Sequence, residues 1–485
     1  MAGVLEARFD ELRSRFGIPG VSWTVLANAE LVETGQLGVR VATEADPVTR
    51  TTRFQACSIS KPIAALAMLR LVDRGLLDLD ADINDSLTSW RVPRNAEWQP
   101  VVTLRHLASH SAGFTTSGFP GYKRSDRLPT TVEILHGVHP ANTFGVRVDT
   151  IPGAQFRYSG GGTLAMQQLL GDVTKTPFPE LMRELVLEPL GMMDSDYTQP
   201  PPEEVHDVLA HGHDELGNAV EGGWHVYPEL APAGLWTTPT DLCRYAIAVQ
   251  AAFAGRPGAL ISEPLAREML TPQVRASDRI GGLSALGLGP FVSDGPDARF
   301  GHSGGNEGFR CHLLAYRDHG KGAAVMTNSD AGGWLLQRAF AEIADAYSWP
   351  GYVAEIVERT PPDAATLNAC AGSYRLRDGF ELSIAAVGNG LEVAFAGQQP
   401  IVFSFIGRSD AGALEFASMA TETVLRLESA EAAGTSITFV QNGEEIVCPR
   451  NYCGPLTRPS VVVYCKASER SRTSARGVEA RCSSG

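Results

Sequence analysis

Nowhere in this chain do about 18 apolar residues run together, the length a helix needs to cross a bilayer. The N-terminus, Met1 to Leu12, also lacks the charged-then-apolar layout of a secretory signal, and its acids and bases alternate as on an amphipathic helix. Basic runs are missing as well. With 41 Lys and Arg against 55 Asp and Glu the net charge is -14, and no basic stripe occurs in the first 450 residues. A phosphate backbone selects clustered Lys and Arg, so neither nucleic acid nor an anionic membrane is an expected partner. The eight cysteines lack a zinc-knuckle spacing: Cys57, Cys243, Cys311 and Cys370 lie far apart, and Cys448, Cys453, Cys465 and Cys482 crowd near the end. The first four read as buried thiols in a reducing compartment. The expectation is a soluble, cytoplasmic protein that needs neither metal nor cofactor.

What is present suffices for a large core. Hydrophobic residues make up 44% of 485, enough for two or three domains. Residues 3–16 predict a helix with Val4, Leu5, Phe9, Leu12 and Phe16 on one face, ended by Gly17-Ile18-Pro19-Gly20. Val21–Ala27 and Leu31–Leu37 predict a hairpin around Asn28. From about residue 76 to 235 the chain is punctuated by Gly and Pro, with helical patches at 163–173 and 179–187, which reads as a helical lobe with long loops. Thr240-Asp241 predicts the cap of a helix running to Phe253, followed by strands at 299–300, 312–316 and 323–327 and an amphipathic helix at 334–347. Strands at both ends of a segment, enclosing a helical lobe, imply that the first and last pair in one antiparallel sheet. The fold class expected is therefore α+β.

After Pro361-Pro362 the pattern changes to short strands, at 380–384, 391–395, 401–405, 423–427 and 436–440, as in a small antiparallel barrel or sandwich. The expected divisions are 1–355, 363–450 and a disordered tail, 451–485, whose last twenty residues carry five Lys and Arg against two Glu.

Chemistry is concentrated first at Ser58-Ile59-Ser60-Lys61, which opens an apolar run of helical spacing through Leu71. Residues at i and i+3 share a helix face, so the Lys61 amine can take the proton of the Ser58 hydroxyl, otherwise a poor nucleophile. Ser58 at a helix N-terminus would also have unpaired backbone N–H groups at hand for a developing oxyanion.

A lone Ser-x-x-Lys is a weak signal, and a series of motifs downstream gives it weight. The series runs through Val102 to Gly113, Pro152-Gly153 leading to Tyr158-Ser159-Gly160, Glu188-Pro189-Leu190-Gly191-Met192, Ala233-Gly234-Leu235-Trp236, and Gly301-His302-Ser303-Gly304-Gly305. In this order they resemble the landmarks of the penicillin-recognising serine hydrolases: class C β-lactamases, D-aminopeptidases, DD-peptidases and esterases of β-lactamase fold. The resemblance spans residues 5 to 345 or so. It implies an antiparallel sheet flanked by helices with a helical lobe, and a C-terminal module that looks like the lipocalin-like barrels following some of these hydrolases. It makes Ser58 the acylated nucleophile, Lys61 its partner and Tyr158 the base or proton relay. His302-Ser303-Gly304 matches the third motif, on a strand facing the nucleophile. The N–H groups of Ser58 and Gly305 would form the oxyanion hole.

Two departures bear on the substrate. The second motif usually ends in Asn and here ends in Gly160, so the side-chain amide that holds a substrate amide is missing. The third begins with His302 rather than Lys, removing a permanent charge that would grip a β-lactam or peptide carboxylate. A small-molecule ester, or an amide without a nearby carboxylate, fits better. An acyltransferase using the same acyl-enzyme, a D-aminopeptidase-like amidase and a catalytically idle binding protein stay open.

Other readings compete locally. Gly301-His302-Ser303-Gly304-Gly305 also fits the Gly-x-Ser-x-Gly elbow of α/β-hydrolases, with Ser303 as nucleophile, but an elbow leads into a helix and the run 312–316 reads as a strand. His211-Gly212-His213-Asp214-Glu215 invites a metal, yet a solvated hairpin between 207–210 and 219–220 explains it better. Cys57 is expected to pack beneath the nucleophile helix, and His106 and His110 to satisfy hydrogen bonds in the lobe. The C-terminal module could hold a ligand, cover one side of the active-site entrance or mediate a homodimer; the residues do not choose.

Overall fold

The computed structural model describes residues 2–278, 281–353 and, from 362 to 451, all but 378–379, 389, 396–399, 410–411, 419–422, 428–435 and 442–443. Asn451 apart, the expected tail lies outside the described residues. The fold begins with the helix Ala2–Arg15, whose Leu5, Phe9 and Leu12 are buried, and the hairpin Gly20–Ala27 and Glu30–Gly38. Its two-residue turn places Asn28 and Ala29 at φ 54° and 59°, the left-handed pair that matches the twist of a tight hairpin.

The strand Gly20–Ala27 then pairs on its other edge with Gly322–Thr327, Val21 opposite Thr327 and Leu26 opposite Gly322. The expected pairing of first and last strands is thus present, as the second and third strands from one edge of an eight-stranded antiparallel sheet. From there the sheet continues through Phe309–Tyr316, Arg299–Asn306, Phe291–Val292 and Leu283–Leu286 to Val274–Asp278. Helices cover both faces, which is why Gly20–Ala27 is buried at every position but the last. Val21, Trp23 and Val25 join a core with Phe9 and with Leu335 and Phe340 of the helix Gly332–Ala346. On the other face Thr24 meets the helix Pro239–Phe253 through Thr240, hydroxyl to hydroxyl at 3.1 Å.

That second face carries the helical lobe, whose core surrounds the helix Ser60–Asp73 and includes Leu164, Leu169 and Met182. Several local expectations are corrected. The Pro239–Phe253 helix is capped by Thr238, whose Oγ1 accepts the Asp241 N–H, whereas Thr240 lies inside it. The run 179–187 divides into Phe178–Met182 and a wider π-turn, Arg183–Leu187. Asp207 and Val208 belong to a 3-10 turn rather than a strand, and the expected hairpin contracts to one bridge, His213 to Ala219. His213 is fully buried instead of solvated: Nε2 accepts the Ala42 N–H at 3.0 Å and Nδ1 lies 2.8 Å from the Asn328 carbonyl.

Between Gly372–Arg377 and Glu444–Pro449 eight strands form a second antiparallel sheet in simple sequence order. Alternation fills its core, as in Thr423–Leu427, where Leu425 and Leu427 are buried between half-buried neighbours. The bridge from Tyr374 to Arg450 and the Asn451 N–H to Ser373 carbonyl bond draw its first and last strands together. No full ladder closes it among the described residues, so the sheet is a meander and a lipocalin-like closed barrel is not established. A short helix, Ala364–Cys370, precedes it.

Candidate active site

The chain enters the site on the two-residue strand Phe54–Gln55, paired with Trp236–Thr237, and turns sharply at Cys57, whose φ of 51° is a left-handed conformation costly for a side-chain-bearing residue. Ser58 consequently sits in a single 3-10 turn, Cys57–Ile59, and the α-helix starts two residues later than the sequence pattern implies, at Ser60. The turn is pinned from several sides. Ser60 Oγ donates to the Cys57 carbonyl at 2.6 Å and accepts the Leu235 N–H at 3.2 Å, and Tyr197 Oη donates to the Ser60 carbonyl at 2.8 Å.

Ser58 remains half-exposed while Lys61 is only 5% exposed. Lys61 Nζ donates to Ser58 Oγ at 2.9 Å and to the Pro232 carbonyl at 2.9 Å. Burial disfavours the ammonium and lowers its pKa to about 7, with Cys57 acting weakly in the opposite sense. An amine largely unprotonated above neutral pH thus touches an accessible hydroxyl, which is the arrangement general-base activation needs.

Tyr158 stands beside this pair, its ring centroid 5.0 Å from Lys61 Nζ. Two histidines flank it, His110 at 4.4 Å and His302 at 6.1 Å between ring centroids. His110 holds the segment on both sides of the tyrosine: its carbonyl accepts the Arg157 N–H at 2.7 Å and its Nδ1 accepts the Ser159 N–H at 3.1 Å. Burial, then Lys61 and His302, keep its pKa well below the usual histidine value, so the ring is neutral and can accept. Sequence reasoning assigns this residue only a hydrogen bond in the lobe and misses its place beside the tyrosine. Nothing in its spacing signals a partner 49 positions away. His106, by contrast, caps its own helix by accepting the Thr103 N–H.

Gly160 is the first residue of the helix Gly160–Thr174, whose cap Ser159 accepts the Gly162 N–H. His302 lies on the strand Arg299–Asn306, 1% exposed, with Phe291 5.1 Å away between rings. Its Nδ1 is 2.6 Å from the Ser303 carbonyl, so Nδ1 carries a proton and donates to that oxygen. Gly304 faces the Ser58 turn so closely that a Cβ there would lie 2.5 Å from Cys311 Sγ, 2.6 Å from the Ala56 carbonyl and 3.0 Å from Cys57 Cβ. Gly305 is exposed, beside Arg310. The structure therefore brings Ser58, Lys61, Tyr158 and His302 together, with Gly304 against their turn. Ser303 is half-buried in a strand that returns through Glu307-Gly308 into Phe309–Tyr316, so no elbow leads from it into a helix. Cys57 packs as expected, buried with its Sγ 3.2 Å from the Gln55 carbonyl.

Comparison with known proteins places the chain among relatives of similar fold. Over 217 residues the chain is 30% identical to esterase EstB of Burkholderia gladioli, covering 42% of this chain and 53% of that esterase, so the match spans about half of the relative. It is 26% identical over 390 residues to penicillin-binding protein 4 of Amycolatopsis lactamdurans, covering 77% of this chain and 97% of that protein. Among solved structures, the octameric penicillin-binding protein homologue from Pyrococcus abyssi superposes with a TM-score of 0.63 at 20% identity, covering 92% of this chain and 99% of the other, a likeness of fold. The Beta-lactamase family profile matches residues 5–348, a span that contains the Ser58 turn, Tyr158 and the His302 strand, and the chain is a member of that family.

Proposed function

We propose that the protein is a serine hydrolase that cleaves small-molecule esters through a covalent acyl-enzyme on Ser58. The observation that carries this reading is the 2.9 Å contact between the half-exposed Ser58 hydroxyl and a lysine whose pKa burial lowers to about 7. Lys61 takes the Ser58 proton as Oγ bonds to the substrate carbonyl carbon. The N–H groups of Ser58 and Gly305 stabilise the oxyanion, and Tyr158 passes the proton to the leaving alcohol as the ester C–O bond breaks. Water, deprotonated by the same pair, then attacks the acyl carbon and frees Ser58.

Gly160 and His302 support an ester over a β-lactam, because neither supplies the amide or the permanent cation expected for one. The similarity to an esterase over half of its length points the same way. Acceptor amines or alcohols added to the assay would expose acyl transfer, which the same acyl-enzyme permits. Buried, unpaired thiols at Cys57, Cys243, Cys311, Cys370 and Cys448 support a reducing compartment such as the cytoplasm. The division at residues 355 and 363 is proposed with them, as the boundary between the hydrolase and the C-terminal sheet.

Fluorophosphonate labelling followed by peptide mass spectrometry should place the adduct on Ser58, and Ser58→Ala should lower p-nitrophenyl ester hydrolysis by at least about 10³-fold. An adduct on Ser303, or full activity in Ser58→Ala, would overturn the reading.

A further inference from the structure

The missing amide at Gly160 leaves no gap. A Cβ on Gly160 would lie 2.8 Å from Phe119 Cε2, 3.3 Å from Cδ2 and 3.2 Å from the Ser117 carbonyl, so the ring of Phe119 already fills the space a side chain there would take. Phe119 is half-buried, packed in part on the core around the Ser60–Asp73 helix, and its ring lies against Gly160, which follows Tyr158 by two residues.

Both ends of its segment are anchored to the site. On one side the Gly160 N–H donates to the Ser117 carbonyl at 2.8 Å and Ser159 Oγ donates to the Thr116 carbonyl at 2.8 Å. On the other, Tyr122 and Val226 exchange backbone hydrogen bonds of 2.9 and 2.7 Å. Gly121, at φ 73°, leaves room for the Tyr227 ring, which would stand 2.6 Å from a Cβ. Tyr227 Oη in turn accepts the Glu307 N–H at 3.1 Å, two residues beyond Gly305. The segment that carries Phe119 is therefore tied to Ser159 and Gly160 at one end and, through Tyr227, to Glu307 at the other.

We infer that Phe119 is a specificity-determining residue, an apolar wall in place of the side-chain amide, which selects substrates whose acyl part is aromatic or alkyl over those carrying an acylamino group. The inference rests on Ser58 being the nucleophile. An aryl group against the ring gains apolar contact and ring-on-ring geometry. An acylamino group in the same place loses its water and finds no donor or acceptor on the ring, which leaves its polar atoms unpaired.

The test compares p-nitrophenyl phenylacetate, N-acetylglycinate and acetate. The wild type should prefer the phenylacetyl over the acetylglycyl ester in kcat/KM. Phe119→Ala should lower the phenylacetyl to acetyl ratio about tenfold, chiefly through KM, and Phe119→Leu should keep a butyryl preference while losing the phenylacetyl one. The double variant Phe119→Ala, Gly160→Asn should raise acetylglycyl turnover. An unchanged phenylacetyl to acetyl ratio in Phe119→Ala, with a wild-type melting temperature, overturns the role of Phe119 and leaves the hydrolase reading intact. Calorimetry of p-nitrophenyl phenylacetate binding to Ser58→Ala, with and without Phe119→Ala, reads the wall without turnover: about tenfold weaker binding supports it, equal binding overturns it. A wild type inactive on all three esters overturns the hydrolase reading separately.

Discussion

Lys61 connects burial to pH. Because its folded-state pKa is about 7 and the proposed base is the free amine, kcat/KM should rise as pH passes through about 7 and level off above it, which a pH profile on an uncharged ester would read. A sigmoid centred near the ordinary lysine value of 10.5 would contradict the assignment. The same shift has a stability consequence with its own sign. Between about 7 and 10.5 the unfolded chain holds the Lys61 proton that the folded chain has released, so this group destabilises fully below that window and is relieved as pH rises through it. Lys61→Arg, always protonated, should cut turnover by at least about 10²-fold, since a guanidinium cannot accept the proton.

At the level of elements, the close approach of the His302 strand to the Ser58 turn depends on Gly304. Gly304→Ala should lower stability by about 1–3 kcal/mol, measured as a fall in melting temperature or denaturant midpoint. Adding Cys311→Ala should recover only part of that loss, because the Ala56 carbonyl stays 2.6 Å from the new methyl. This contact illustrates what the sequence could and could not reveal. Ser58, Lys61, Tyr158 and His302 were legible because their motifs are local and ordered along the chain. The closeness that makes Gly304 obligatory, the bracket of His110 around Tyr158 and the ring of Phe119 over Gly160 come from segments tens to hundreds of residues apart, which periodicity does not register. Boundaries failed for local reasons. Two threonines near one proline, Thr238 and Thr240, offer equally good caps, and only the accepted Asp241 N–H decides between them. The helix Ala364–Cys370 buries just Leu367 and Cys370, too few to set a period.

For the whole molecule, the distribution of thiols gives a direct check of packing. Cys57, Cys243, Cys311, Cys370 and Cys448 are buried and unpaired, and burial pushes the Cys370 and Cys448 thiols up to about 11. Thiolates being the reactive form, these five should resist maleimide in native buffer and react fully in denaturant, by peptide mapping. Rapid native alkylation at Cys57 or Cys311 would show that the Ser58 turn opens to solvent. Covered on both faces, the first sheet depends on strands from opposite ends of its segment. That arrangement places the Ser58 turn in the lobe side and the His302 strand in the sheet, and the site exists only where the two meet.

The pairing of Gly20–Ala27 with Gly322–Thr327 also sets an order of events in the cell. The early strand leaves the ribosome ~300 residues ahead of its inner partner, a wait of roughly 15–60 s at ordinary rates of translation. Throughout that interval its inner edge has no mate, and the helix Gly332–Ala346, which completes the cover begun by Ala2–Arg15, has yet to be made. A nascent chain stalled before residue 322 should thus carry Ser58 and Lys61 yet be inert and open to protease, with activity arriving in one step when the last strand docks.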